Sequence, residues 1–189
     1  MNMILLTGPS LEPVTLAEMK LWLKIDGSED DNVINALIVS ARLSVEAVTK
    51  RILITQSWRV VLDEWRQGGL IRLPTGPLQS VTAARVYDAA GAATSVPVST
   101  FLVDNSSRSP RLIVTGPVPS PGRVIAGIEI DCTLGYGASG SLVPEPLRLA
   151  IRLLATFWFE NRGDVPISGA ANWPDAVLTL LTPYATRRL

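Results

Sequence analysis

The chain has 189 residues, with 17 Lys plus Arg against 17 Asp plus Glu and no histidine. Zero formal net charge argues against a surface that grips nucleic acid over its whole extent, while leaving local patches open. Without histidine, and with Cys132 as the single cysteine, Ser-His-Asp and Cys-His nucleophiles, ordinary structural zinc sites and internal disulfides are excluded. An enzyme built from this chain is left with carboxylate, lysine or serine–lysine chemistry.

The apolar fraction is 47% and the mean hydropathy is positive. Yet the longest nearly apolar run, residues 153–159, falls far short of the roughly 20 residues a spanning helix needs. Residues 1–7 lack a basic start, and their apolar core is too short for a signal peptide. Apolarity without membrane spans or disulfides points to burial beyond a monomer core, hence to an oligomer.

In chain order, Thr15 and Glu18 stand at capping-box spacing and Val14 with Met19 at staple spacing, which predicts a short helix to about residue 24. The turn Asp26-Gly27 ends it. Ser28 is the next cap candidate, followed by Glu29-Asp30-Asp31 in a first turn. Ile34, Leu37, Ile38, Ala41, Val45 and Val48 then recur at spacings of three and four, predicting an amphipathic helix to about Thr49.

The texture changes after Ile54. Trp58, Val60 and Leu62 alternate as in a strand, and short strand candidates follow at 70–73, 81–87, 95–98, 101–103 and 111–114. Ile128, Ile130 and Cys132, alternating with Glu129, Asp131 and Thr133, mark a final strand. Short strands with frequent turn residues predict an antiparallel sandwich or small barrel.

Helical periodicity returns at Pro144. Pro144 and Pro146 suit a helix entrance, and Glu145 complements the positive end of the dipole. Residues 147–159 are apolar at almost every position, which predicts a helix buried on most of its circumference. Arg148, Arg152, Thr156 and Glu160 recur every four residues and form one polar seam, either a solvated strip or a contact between subunits. After a loop at 163–171, Asn172 is a cap candidate for a last short helix carrying Ala176, Val177, Leu180 and Leu181. Pro183 closes it, leaving a basic tail. The fold class expected is α+β: a small helical bundle from both chain ends (1–54 and 134–183), an inserted antiparallel β module (55–133) and a tail (184–189).

No catalytic constellation emerges. Gly8-Pro-Ser10 and Gly135-Tyr-Gly137 lack the continuation of a phosphate loop, and the latter reads as a glycine-rich exit from a strand. Asp63-Glu64 reads as a strand end and Glu29-Asp30-Asp31 as a helix start. Of five tryptophans, Trp22, Trp158 and Trp173 fall on helices or helix starts, where packing is their usual role, rather than forming a sugar platform with Trp58 and Trp65.

A series of short motifs resembles the head–tail connector (adaptor) proteins of tailed phages and gene transfer agents, in the variant with a β insertion. The series runs Pro13-Val-Thr-Leu-Ala-Glu-Met-Lys20, Leu23-Lys-Ile-Asp26, Asp30-Asp31, Ile54-Thr-Gln-Ser-Trp58, Leu73-Pro74 and Pro77-Leu-Gln-Ser-Val-Thr82. It continues through Gly135-Tyr-Gly137, Val143-Pro-Glu-Pro-Leu-Arg148 and Trp158-Phe-Glu-Asn-Arg162. The match is poorest at 105–122.

The resemblance implies a non-enzymatic ring, a dodecamer, seated beneath the portal protein at the capsid vertex. Such a ring extends the DNA channel and receives a stopper or tail-completion protein. It implies no cofactor or metal, packaged double-stranded DNA passing without specific binding, and a particle neck assembled in the bacterial host cytoplasm. Portal contact maps to the C-terminal segment: Trp173, Leu180, Leu181, Tyr184, Arg187, Arg188 and Leu189. The seam Arg148, Arg152, Thr156 and Glu160 becomes the candidate for a subunit interface or channel lining. Another neck component remains an alternative, and so, more remotely, does a glycan-binding or carboxylate-dependent hydrolytic protein built on the β module.

Overall fold

The computed structural model describes residues 1–107, 109–161 and 173–185. These form two compact units, one of residues 1–9 with 55–136 and one of 10–54 with 137–189. The fold class is α+β, with four helices and eight strands among the described residues.

The β unit contains two antiparallel sheets. Strands β1 (Asn2–Thr7), β2 (Gln56–Leu62), β4 (Leu78–Tyr87), β5 (Ala93–Ser95) and β8 (Ile128–Leu134) make a five-stranded sheet in the order β1-β2-β8-β4-β5. Strands β3 (Leu70–Arg72), β6 (Phe101–Asp104) and β7 (Arg111–Val114) make a three-stranded sheet in the order β3-β7-β6. Both sheets are open rather than closed into a barrel.

Register explains the burial pattern. Trp58, Val60 and Leu62 lie opposite Cys132, Ile130 and Ile128, and Ala84 and Val86 lie opposite Ile130 and Ile128. One face of β8 is thus an unbroken apolar row. Because side chains alternate along a strand, Arg59, Arg85, Glu129 and Asp131 are directed to the other face.

Residues 1–9, expected with the helices, instead belong to the β unit. β1 pairs antiparallel with β2 at the edge of the larger sheet. The run Met-Ile-Leu-Leu carries no alternation because Ile4, Leu5 and Leu6 are all exposed on an edge strand, so the periodic signal of a half-buried strand is missing.

The helical unit contains α1 (Leu16–Leu23), α2 (Asp31–Thr49), α3 (Glu145–Glu160) and α4 (Asp175–Leu181). Thr15 caps α1 with a full capping box: its N–H donates to Glu18 Oε2 at 2.8 Å, and the Glu18 N–H donates to Thr15 Oγ1 at 3.2 Å. Val14 and Met19 are both fully buried, as a staple requires. The helix ends at Leu23, as expected, with Lys24 as its C-cap in the left-handed region (φ 57°).

The cap of α2 is Asp30 rather than Ser28, and it makes no side-chain capping bond. Asp31 is held instead by Lys20 Nζ at 2.7 Å. Ile34, Ile38, Ala41 and Val45 of α2 join Leu147, Ala150, Ile151, Leu154 and Ala155 of α3, with Met19, Val177 and Leu181, in the core of this unit.

The expectation of an α3 buried on most of its circumference is corrected. Only those five positions are buried, all on one face, while Leu149, Leu153 and Phe157 are half-buried. Apolar composition alone cannot distinguish a helix surrounded by its own chain from one with an additional apolar face.

Candidate functional site

The polar seam of α3 is the strip on which α1 lies. Arg148 is the hub. Its Nε donates to the Pro13 carbonyl at 3.0 Å, and its other nitrogens reach Glu18 at 2.7 Å and Glu145 at 2.9 Å. Arg152 pairs with Glu145 and sets its guanidinium over the Trp22 ring, 5.4 Å from the centroid. Thr156 Oγ1 accepts from Trp22 Nε1 at 3.1 Å and donates to the Arg152 carbonyl at 2.8 Å.

Burial alone would raise the Glu18 carboxyl, but the Thr15 N–H and the Arg148 guanidinium outweigh it and hold it below the usual carboxylate range. Glu145 is lowered in the same way by Arg152 and Arg148, against a burial effect of opposite sign. Three of the four seam residues therefore use polar atoms inside their own subunit. Glu160 is the exposed one.

A second buried network fastens α2. Arg42 donates to Glu12 at 2.7 Å and to Glu46 at 2.9 Å, and Glu46 Oε1 accepts from the Leu53 N–H at 2.8 Å. Burial pushes the Glu46 carboxyl up, against the lowering effect of the Leu53 N–H and Arg42. These are the only ionisable residues of α2 after Asp31, and both are buried. Water sees a helix face without charge.

The expected portal-contact residues divide. Trp173, Leu180 and Tyr184 are half-buried, and Leu178, which periodicity did not single out, is exposed on α4. Leu181 is buried. At 1% exposure it belongs to the core of the helical unit. Arg187, Arg188 and Leu189 lie outside the described residues.

On the outer face of the five-stranded sheet, Asp131 takes two hydrogen bonds from Arg59 (2.6 and 3.0 Å) and one from Arg85 (2.9 Å). Glu129 pairs with Arg59 at 3.1 Å and accepts from the Tyr87 hydroxyl at 2.9 Å. Arg59, ahead of Arg85, holds the Asp131 carboxyl low, and the bond to Glu129 raises the Tyr87 phenol. Opposite charges are spent on each other here, which leaves no basic track for phosphates.

The loop between β7 and β8 is a surface that sequence reasoning missed. The Gly122 N–H donates to the Tyr87 carbonyl at 2.8 Å, Arg123 stacks 4.4 Å over the Tyr87 ring, and the Ala126 N–H donates to Asp63 at 2.9 Å. A Cβ on Gly122 would sit 2.3 Å from the Ala89 nitrogen, so only glycine allows this approach. Between these anchors, Val124 and Ile125 stand 88% and 77% exposed. Their signal in the sequence was two branched apolar residues between glycines, with no periodicity to attract notice.

The cleft beside this loop, about 490 Å³, is lined by Asp63, Glu64, Arg66 and Arg123 among others. Within it, Asp63 Oδ1 accepts the Ala126 N–H. Three tryptophan N–H groups are likewise engaged by their own chain: Trp22 by Thr156, Trp58 by Gln56 and Trp65 by the Pro119 carbonyl.

A family model described as phage gp6-like head-tail connector protein matches residues 13–92. No curated protein matches the sequence. Among solved structures, a chain in the neck of an empty GTA particle computed with C6 symmetry is 30% identical. That match covers 100% of this chain and 97% of the other, with a TM-score of 0.83. Chains in the virion of a native gene transfer agent particle and in the neck of a native GTA particle computed with C12 symmetry are each 31% identical. Both have TM-scores of 0.81, again covering 100% of this chain and 97% of the other. Identity of this order, carried through both units from end to end, means that the chain belongs to the head–tail connector family.

Proposed function

We propose that this protein is a structural connector in the neck of a phage or gene-transfer particle, working as a ring of identical subunits. The observation that carries this reading is the full-length similarity to neck chains from particles computed with C6 and C12 symmetry. The site chemistry fits. Of the acidic residues 29–31 and 63–64, Asp31 pairs with Lys20 and Asp63 holds the Ala126 N–H, contacts that suit a scaffold. Balanced outer-face charges suit a channel that double-stranded DNA passes without being held.

In this reading the ring is a dodecamer under the portal protein and receives a stopper or tail-completion protein on its other side. The C-terminal segment engages the portal through Trp173, Leu180 and Tyr184 with the tail Arg187, Arg188 and Leu189, and Leu178 adds an exposed apolar contact. The seam residues Arg148, Arg152 and Thr156 serve the ring by fixing α1 on α3, and Glu160 is the member left at the surface for a neighbour or the channel.

The test is to mix purified protein with its cognate portal and image the product by electron microscopy. Rings stacked on portal particles are expected. A protein that neither forms rings nor docks on the portal overturns the reading.

A further inference from the structure

We propose that the outward face of α2 is the surface through which one copy of the chain packs against the next copy in the ring. Helices facing water carry charged side chains on that side. In α2 the outer side lacks them: Arg42 and Glu46 are buried beside the apolar core row and bonded to Glu12 and the Leu53 N–H, while Val33, Val39, Leu43 and Val48 are exposed, Leu43 by 53%. Asn32, Asn35, Ala36, Ser40 and Ala47 are the other exposed side chains of the helix, so no side chain between Asp31 and Lys50 presents charge to solvent. Depletion of charge together with exposed branched residues is the composition of an interface centre rather than of a solvated surface.

The occupant is argued by chemistry and by symmetry. An uncharged face gives DNA phosphates or an acidic segment no cation to pair with, and it disfavours a charged counter-surface, because desolvating unpaired charge is costly. The neck chains to which this protein is similar come from particles computed with C6 and C12 symmetry, in which every copy has two flanking copies. Closing such a ring buries two different faces of each subunit. From Val33 to Val48 the face runs roughly 22 Å at 1.5 Å per residue, enough to lay a neighbouring helix alongside. The small residues Ala36, Ser40 and Ala47 allow close approach. A stable interface takes about 800 Å² from each partner, so α2 forms the apolar centre of the contact and not its whole extent.

This inference rests on the connector reading, and one experiment separates the two. Leu43→Cys is labelled with benzophenone-maleimide. Cys132 is fully buried with its thiol pushed up to about 12, so the new thiol is the reactive one. The labelled protein is assembled on portal particles and irradiated. Adducts of two copies of the chain are expected. Adducts with portal or another neck protein, links confined to one chain, or no adduct in assembled rings overturn the α2 proposal while leaving the connector reading intact. Failure of the unlabelled wild-type protein to ring or dock overturns the connector reading itself. In parallel, Leu43→Glu, at an exposed position, should keep wild-type circular dichroism and thermal midpoint yet reduce ring yield at least tenfold. Unchanged ring yield in that variant also overturns the proposal.

Discussion

At the residue scale, the buried charges of this protein are fasteners. Arg42 ties the segment before α1, through Glu12, to α2 through Glu46, and Glu46 in turn holds the Leu53 backbone. Arg42→Ala would leave Glu46 buried without its cation, and breaking a buried pair in this way costs about 3 to 5 kcal/mol. Urea unfolding monitored by circular dichroism should show a loss of that order. Asp131 makes a pH prediction. Its folded carboxyl is held below the unfolded value of about 3.9, so the stability it contributes is present above that pH and lost as pH falls through the lowered folded value. Asp131→Asn should therefore lower stability at pH 7 and make the further loss on acidification below about pH 4 shallower than in wild type, read from urea midpoints across pH. Glu46 acts with the opposite sign. Raised in the fold, it favours the folded state most below its unfolded pKa and loses that contribution as pH rises through the folded value.

At the scale of the element, local rules were legible where both partners of an interaction are close in sequence. The capping box of α1 was readable because Thr15 and Glu18 are three residues apart and satisfy each other's backbone whatever surrounds them. Thr15→Ala should cost about 1 kcal/mol, seen as a lowered thermal midpoint. The α2 start was misread at Ser28, because the ion pair of Asp31 with Lys20 on the preceding helix replaces a side-chain cap. The seam of α3 was legible as a seam but not as the seat of α1. Its partners Pro13, Glu18 and Trp22 lie more than a hundred residues away in the chain, and helical spacing says nothing about them. Strand β1 was invisible for a related reason: an exposed edge strand is recognised by its pairing with β2, not by alternation.

At the scale of the molecule, the chain shows more apolar surface than one subunit needs, on α2, on β1 and at the Val124–Ile125 loop tip. A ring of copies within a particle neck gives such surface somewhere to go. Deleting residues 184–189 should abolish portal docking in a pull-down while leaving ring formation on its own unchanged; undiminished docking would remove the tail from the portal contact. Sequence by itself determined the α+β class, most helices and strands, the absence of histidine- and disulfide-based chemistry and, through the order of its motifs, the family. These follow from periodicity, capping and composition, which act over a few residues. Only the tertiary structure decided that residues 1–9 join the sheet and that Leu181 belongs to the core. It alone showed that the α3 seam faces α1 and that Arg42 and Glu46 of α2 point inward while Val33, Val39, Leu43 and Val48 are exposed. Those outcomes depend on contacts between residues far apart in the chain, and burial of an apolar or charged side chain is a property of its neighbours in space.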